Sequence, residues 1–158
     1  MENGMKQWAS SYAQMGLRVH PLNGKIPLWK GWPDKATNDL GTVAVVWDAQ
    51  PAANIGVVTG RYGERYLLVI DGDKPHGNNA ADGTATIASW QMIHGAFPET
   101  STAQTAHGGI HYYFWVDSPY RNKTGLYPGV DIRCENGFVG VPPNICLLYT
   151  SPSPRDCS

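Results

Sequence analysis

The spacing of apolar residues changes several times along the chain, and each change predicts an element. Met5, Trp8, Ala9, Tyr12 and Ala13 recur three or four positions apart, the period of a helix with one inward stripe, and Gly16 is placed to end it. Leu17-Arg18-Val19-His20 alternates apolar with polar, which is the period of a strand. Residues 21–35 hold neither period, and Pro21, Gly24, Pro27, Gly31 and Pro33 mark them as a loop. A second helix is expected from an N-cap at Thr37 or Asn38 to about Trp47, closed off by Pro51. Asn54-Ile55-Gly56-Val57-Val58 and Tyr66-Leu67-Leu68-Val69-Ile70 are strands, expected to form a hairpin through the polar turn at 61–65. After a Gly- and Asn-rich loop at 76–83, a third helix is expected over 84–94, with Ile87, Trp90 and Met92 or Ile93 facing inward. Strand-like runs follow at 101–106, 110–116 and 130–141, the last turning at Glu135-Asn136-Gly137. No internal repeat is present. This order predicts an α+β fold with helices on one face of a mostly antiparallel sheet.

The strand at 66–70 ends in Asp71-Gly72-Asp73. Two carboxylates two residues apart on a strand point to the same side. Crowding two negative charges at the end of an apolar strand costs free energy unless a cation sits between them. Mg²⁺ or Mn²⁺ takes oxygen ligands of this kind and keeps positions open for substrate phosphates. A third carboxylate, Asp131, lies in Gly129-Val130-Asp131-Ile132-Arg133, where Val130 and Ile132 would face the helices and Asp131 and Arg133 the other way. In Ile110-His111-Tyr112-Tyr113-Phe114-Trp115-Val116 the same alternation sets His111, Tyr113 and Trp115 opposite an apolar face. Asp71, Asp73, His111 and Asp131 can therefore share the open side of a single sheet.

That set suits nucleotidyl transfer. In-line displacement of pyrophosphate by a 3′-hydroxyl uses two ions about 3.5–4 Å apart, bridged by carboxylates from more than one strand. Asp71, Asp73 and Asp131 supply the carboxylates, and His111 and Arg133 could hold triphosphate oxygens. Each element also has an ordinary reading. Asp-Gly is a turn signal, a lone strand histidine is commonly a surface or core residue, and Gly108-Gly109 marks an ordinary turn. Gly56 to Gly60 is a poor phosphate loop, because no Gly-Lys-Ser/Thr follows. Only the conjunction on one face points to chemistry.

Bulk properties narrow the class. A chain of 158 residues, 42% hydrophobic and 16% charged, fits one globular domain and not a disordered segment. Trp (6) and Tyr (8) outnumber Phe (3), which suits either a wet groove or a small core. The formal net charge of −1, from 12 Lys+Arg and 13 Asp+Glu, lacks the basic excess of a protein that grips nucleic acid by phosphate neutralisation alone. Lys25, Lys30 and Lys35 interleave with Trp29 and Trp32, either a single-strand stacking loop or a surface turn pinned by tryptophan. Cys134, Cys146 and Cys157 cannot all pair and have no metal-ligand spacing, as expected of reduced thiols in a cytoplasmic protein. The N-terminus has no signal-peptide core, and no run approaches the ~18 apolar residues of a membrane span. Residues 146–158 break the pattern: Leu147-Leu148-Tyr149-Thr150-Ser151-Pro152-Ser153-Pro154-Arg155-Asp156 reads like translated sequencing adaptor. The domain is expected to occupy 1–145 and to be truncated at its C-terminus.

Over residues 5–145 the chain resembles the N-terminal domain of bifunctional DNA primase/polymerases, in the archaeo-eukaryotic primase superfamily of plasmids, phages and mobile elements. The resemblance is carried by Val69-Ile70-Asp71-Gly72-Asp73, by Gly108-Gly109-Ile110-His111 and by Val130-Asp131. It extends to Gly16 through Pro21-Leu22, to Gly24-Lys25-Ile26-Pro27, to Asn54 through Gly60, to Thr105 and to Val141-Pro142-Pro143. It implies an open cleft between an N-terminal α/β unit and an RRM-like sheet. It also implies templated synthesis from nucleoside triphosphates on a DNA template or primer, with a helicase domain as a possible neighbour. Carried over by position, Asp71, Asp73 and Asp131 would bind the metals and His111 the incoming nucleotide, while Gly108, Gly109 and Lys25 join Arg133 as nucleotide-binding candidates. Two positions depart from the family: His107 replaces a small residue, usually Ser, which could perturb nucleotide binding, and Ile110 stands where Arg or Lys is common. The readings that compete with a polymerase are a metal-dependent phosphodiesterase or nuclease and a non-catalytic single-stranded-DNA-binding module.

Overall fold

In a computed structural model, residues 4–78 and 80–144 are described. The expected tail at 146–158, with Cys146 and Cys157, lies outside them. The described residues divide into two compact units, one made of residues 4–58 and 138–144, the other of the described residues within 59–137.

The first unit begins with α1 (Gly4–Gln14), whose inward stripe is Met5, Ala9 and Ala13. Trp8 falls at the edge of that stripe and stays 46% exposed. β1 (Val19–Asn23) pairs antiparallel with β2 (Ile26–Pro27) and with β3 (Asn54–Val58), and β3 pairs with β10 (Phe138–Val141). The sheet order is β10-β3-β1-β2. Between β2 and β3 lie a single turn, α2 (Trp32–Lys35), and α3 (Leu40–Ala49). The segment 21–35 is thus only in part the expected loop: residues 21–23 continue β1, Ile26–Pro27 form β2 and Trp32–Lys35 a helical turn, which leaves 24–25 and 28–31 irregular. The cap of α3 is Asp39, one residue beyond the expected positions, and its carboxylate accepts from the Thr42 N–H at 2.9 Å. Trp47 on α3 is buried and donates its indole N–H to the Ala53 carbonyl at 3.0 Å. Val19, Val57 and Val139 line up across three strands and are buried. On the other face, His20 stacks on Trp32 at 5.0 Å and meets Phe138 edge-on at 5.1 Å. Burial pushes the His20 imidazole down to about 4.

The second unit is a sheet of order β6-β7-β5-β9-β8, with β4 also paired to β5. Its strands are β4 (Gly60–Tyr62), β5 (Arg65–Gly72), β6 (Thr102–Gln104), β7 (Ile110–Val116), β8 (Lys123–Tyr127) and β9 (Val130–Arg133), all antiparallel. Three expectations fail here. The strands at 54–58 and 66–70 belong to different sheets and form no hairpin; the hairpin is β4–β5. The run 130–141 is likewise two strands in two sheets. β8 was not expected, since Lys123-Thr124-Gly125-Leu126-Tyr127 has little apolar alternation and sits mostly exposed at a sheet edge.

α4 (Gly83–His94) lies against β5 and β9, capped by Asp82, whose Oδ1 accepts from the Thr84 and Ala85 N–H groups. Ile87 is its buried anchor, whereas Met92 and Ile93 are 88% and 76% exposed and do not face inward as expected. Trp90 and Phe97 continue the apolar layer, Phe97 meeting Tyr112 and Phe114 edge-on at 5.2 and 5.7 Å. This layer covers one face of the sheet, so residues of opposite parity carry the chemistry.

Candidate metal centre

β5 is the central strand, and its register decides the site. Asp71 pairs with His111 of β7 on one side and with Asp131 of β9 on the other. Directly opposed residues in antiparallel strands put their Cβ atoms about 4.5–5.5 Å apart. Asp73 follows one residue past the end of β5. One carboxylate oxygen from each of Asp71, Asp73 and Asp131 lies within 4.8 Å of the others. The three half-buried acids, separated by up to 60 residues of chain (131 − 71), therefore converge.

The backbone around Asp73 explains why it does not swing away. Its N–H donates to the Gly129 carbonyl at 2.9 Å, and its own carbonyl accepts from the Gly83 N–H at 2.6 Å. A side chain at Gly83 would collide with the Gly129 carbonyl, so the start of α4 can approach the β8–β9 turn only without one. Gly109 has a comparable reason. A Cβ there would stand 2.5 Å from the Gly72 carbonyl oxygen and 2.8 Å from Thr105 Oγ1. The paired glycines thus bring the β6–β7 turn down onto the end of β5.

The acids are only partly compensated. Asp131 Oδ1 accepts from the Gly125 N–H at 2.8 Å, and Oδ2 accepts from the Arg133 guanidinium at 3.1 Å. Asp71 Oδ1 is buried without a hydrogen bond and lies 3.3 Å from His111 Nε2. The other ring nitrogen, Nδ1, is 3.4 Å from the Tyr113 hydroxyl. A buried carboxylate oxygen left without a donor, beside two more carboxylates, is an arrangement that a hard divalent cation satisfies. The all-oxygen donor set fits Mg²⁺ or Mn²⁺ better than Zn²⁺, which favours nitrogen and sulfur.

The remaining candidates divide. Arg133 shares the carboxylate face and touches Asp131. Gly108 and Gly109 form the neighbouring turn, where the Gly108 N–H donates to the Thr105 carbonyl at 3.0 Å. His107, the departure from the family pattern, stacks on His76 with ring centroids 5.3 Å apart. Lys25 belongs to the first unit, exposed in the β1–β2 turn. Two groups escaped the sequence reading of the site. Thr105 Oγ1 is buried with no hydrogen-bond partner. Lys74 follows the second acid directly and pairs with Asp82 at 3.3 Å; a cation adjoining the Asp-x-Asp pair was the available signal. Among the described residues, no helix is long and apolar enough to cross a membrane.

No curated protein matches the chain. The family model for the N-terminal domain of bifunctional DNA primase/polymerase matches residues 9–153. With that match running through every strand of both sheets and through all three acids, the chain is a member of the bifunctional DNA primase/polymerase N-terminal family.

Proposed function

We propose that this domain performs template-directed nucleotidyl transfer, adding nucleotides to a primer or starting one on a DNA template, with Mg²⁺ or Mn²⁺ held by Asp71, Asp73 and Asp131. The observation that carries it is the approach of three carboxylate oxygens to within 4.8 Å of one another, on the sheet face that α4 leaves uncovered. Bound divalent ions supply an acidified 3′-hydroxyl and charge neutralisation on the departing pyrophosphate. The protein's own groups do the positioning. Asp71 and Asp131, on neighbouring strands, fix the two sides of the centre. His111, across Asp71, presents a ring nitrogen to a phosphate oxygen. Arg133 spends part of its guanidinium on Asp131 and keeps other N–H donors for the triphosphate. The Gly108–Gly109 turn leaves backbone beside the acids unobstructed by side chains. The setting we infer is cytoplasmic replication of a plasmid, phage or other mobile element, with a helicase domain as a working neighbour; the family's nature supports this.

The test is primer extension with Mn²⁺ and deoxynucleoside triphosphates. Asp71→Ala and Asp131→Ala abolish incorporation while leaving the fold intact by circular dichroism. Incorporation at the wild-type rate by Asp131→Ala, or a wild-type chain that binds neither Mn²⁺ nor nucleotide, overturns the reading. Cleavage of single strands without any nucleotide would point to the phosphodiesterase instead.

A further inference from the structure

The two ring nitrogens of His111 have different neighbours. Nε2 lies 3.3 Å from Asp71 Oδ1, yet that oxygen is buried and accepts no hydrogen bond. Nδ1 lies 3.4 Å from the Tyr113 hydroxyl, within hydrogen-bond reach. Tyr113 is two positions further along β7, so it shares a face with His111. Its backbone is held from outside the β5–β7 ladder. The Tyr113 N–H donates to the Ser101 carbonyl at 3.1 Å, and the Tyr113 carbonyl accepts from the Thr100 hydroxyl. Its register partner on β5, Val69, is fully buried. On the far side of His111, β6 places Ala103, whose side chain has no polar group to offer the ring.

A buried carboxylate oxygen that accepts no bond, with an imidazole nitrogen 3.3 Å away, invites the ring to turn onto it. The outer side-chain torsion of histidine is soft, so the turn itself costs little. We propose that Tyr113 is a positioning residue: its hydroxyl anchors Nδ1 and holds the imidazole off Asp71, which leaves Oδ1 open to a divalent cation and Nε2 open to an oxygen of the nucleotide. The proposal rests on the metal-centre part of the reading above. A neutral imidazole has one donor nitrogen and one acceptor nitrogen. The carboxylate beside Nε2 can only accept, so the proton belongs on Nε2, and Nδ1 accepts the Tyr113 O–H. Turning the ring towards Asp71 gives up that bond, and Ala103 on the other side supplies no replacement. Without the hydroxyl the restraint is gone. The Nε2–H then donates to Oδ1 in a charge-assisted bond, and a cation must break that bond before it can bind. The same turn withdraws the donor that would meet the nucleotide. Tyr113 acts on the centre through His111.

The experiment is a double-mutant cycle on Mn²⁺ affinity, read by electron paramagnetic resonance of free Mn²⁺ with the full chain and no nucleotide. Tyr113→Phe keeps the ring and removes only the hydroxyl. It weakens Mn²⁺ binding roughly 2- to 13-fold, the worth of one hydrogen bond. In the His111→Ala background the same substitution changes nothing, because there is no imidazole left to turn onto Asp71. Removing His111 from Tyr113→Phe therefore restores Mn²⁺ binding, an outcome that lost packing cannot produce. Wild-type affinity in Tyr113→Phe overturns the proposal. So does a loss of the same size in both backgrounds, which would make Tyr113 a packing residue only. Either result leaves the metal centre standing, since the wild-type chain still binds Mn²⁺. A wild-type chain that binds no Mn²⁺ overturns the metal centre and this proposal together. A cycle that behaves as expected in a chain unable to extend a primer supports the proposal and removes the catalytic reading. If Tyr113→Phe melts lower in EDTA, the comparison of the two backgrounds still decides.

Discussion

Asp71→Asn gives the most direct reading of the acid cluster, because it removes a charge and a ligand while keeping the shape of the side chain. With oxygens within 4.8 Å of one another, each pair of carboxylates repels by at least about 1 kcal/mol at the dielectric constant of water and at least about 3 kcal/mol at an effective value near 20. Asp71 takes part in two of the three pairs. Loss of its 3.3 Å contact with His111 offsets part of the relief. The net expectation is a metal-free protein stabilised by about 1–3 kcal/mol, which for a chain of this size raises the melting temperature by about 2–12 °C. Wild type responds in the opposite sense to metal: Mn²⁺ at a hundred times its dissociation constant stabilises the fold by about 2.7 kcal/mol. Asp71→Asn loses most of that response. The assay is a thermal melt followed by circular dichroism, in EDTA and across a MnCl2 titration. A variant that melts lower than wild type in EDTA yet keeps the whole Mn²⁺ response would refute the reasoning, since Asp71 would then be neither strained by its neighbours nor a ligand.

Three further outcomes are expected. Arg133→Ala raises the KM for deoxynucleoside triphosphates roughly tenfold or more, the worth of a charge-assisted hydrogen bond, while the Mn²⁺-induced melting shift survives; steady-state primer extension and melts separate the two effects. Gly109→Ala forces a methyl group against the Gly72 carbonyl, which costs about 1–3 kcal/mol and weakens Mn²⁺ binding by displacing the end of β5, as chemical denaturation and calorimetric titration will show. His20, held neutral by burial at about 4 against an ordinary 6.5, contributes stability that is fully present above pH 6.5 and is lost as pH falls towards 4. That loss is about 3 kcal/mol, and His20→Leu, compared by urea unfolding at pH 7 and pH 4.5, shows a smaller drop than wild type.

What the sequence settled was local. A period of two placed Asp71 with Asp73, His111 with Trp115, and Asp131 with Arg133, because side-chain alternation is a property of each strand alone. The α1 stripe, the apolar face of β7 and the inward anchor Ile87 of α4 were legible for the same reason. The choice of strand neighbours was not, since pairing joins segments far apart in the chain and nothing in a strand's own pattern specifies its partner. Only the tertiary structure put 54–58 and 66–70 in separate sheets, exposed Met92 and Ile93, continued β1 through Pro21 and added the edge strand β8. It also decided that Asp131 stands opposite Asp71, which turns three separate acids into one centre. The closeness of that centre depends on glycines whose missing side chains let backbones touch, a requirement visible only once the touching backbone is known.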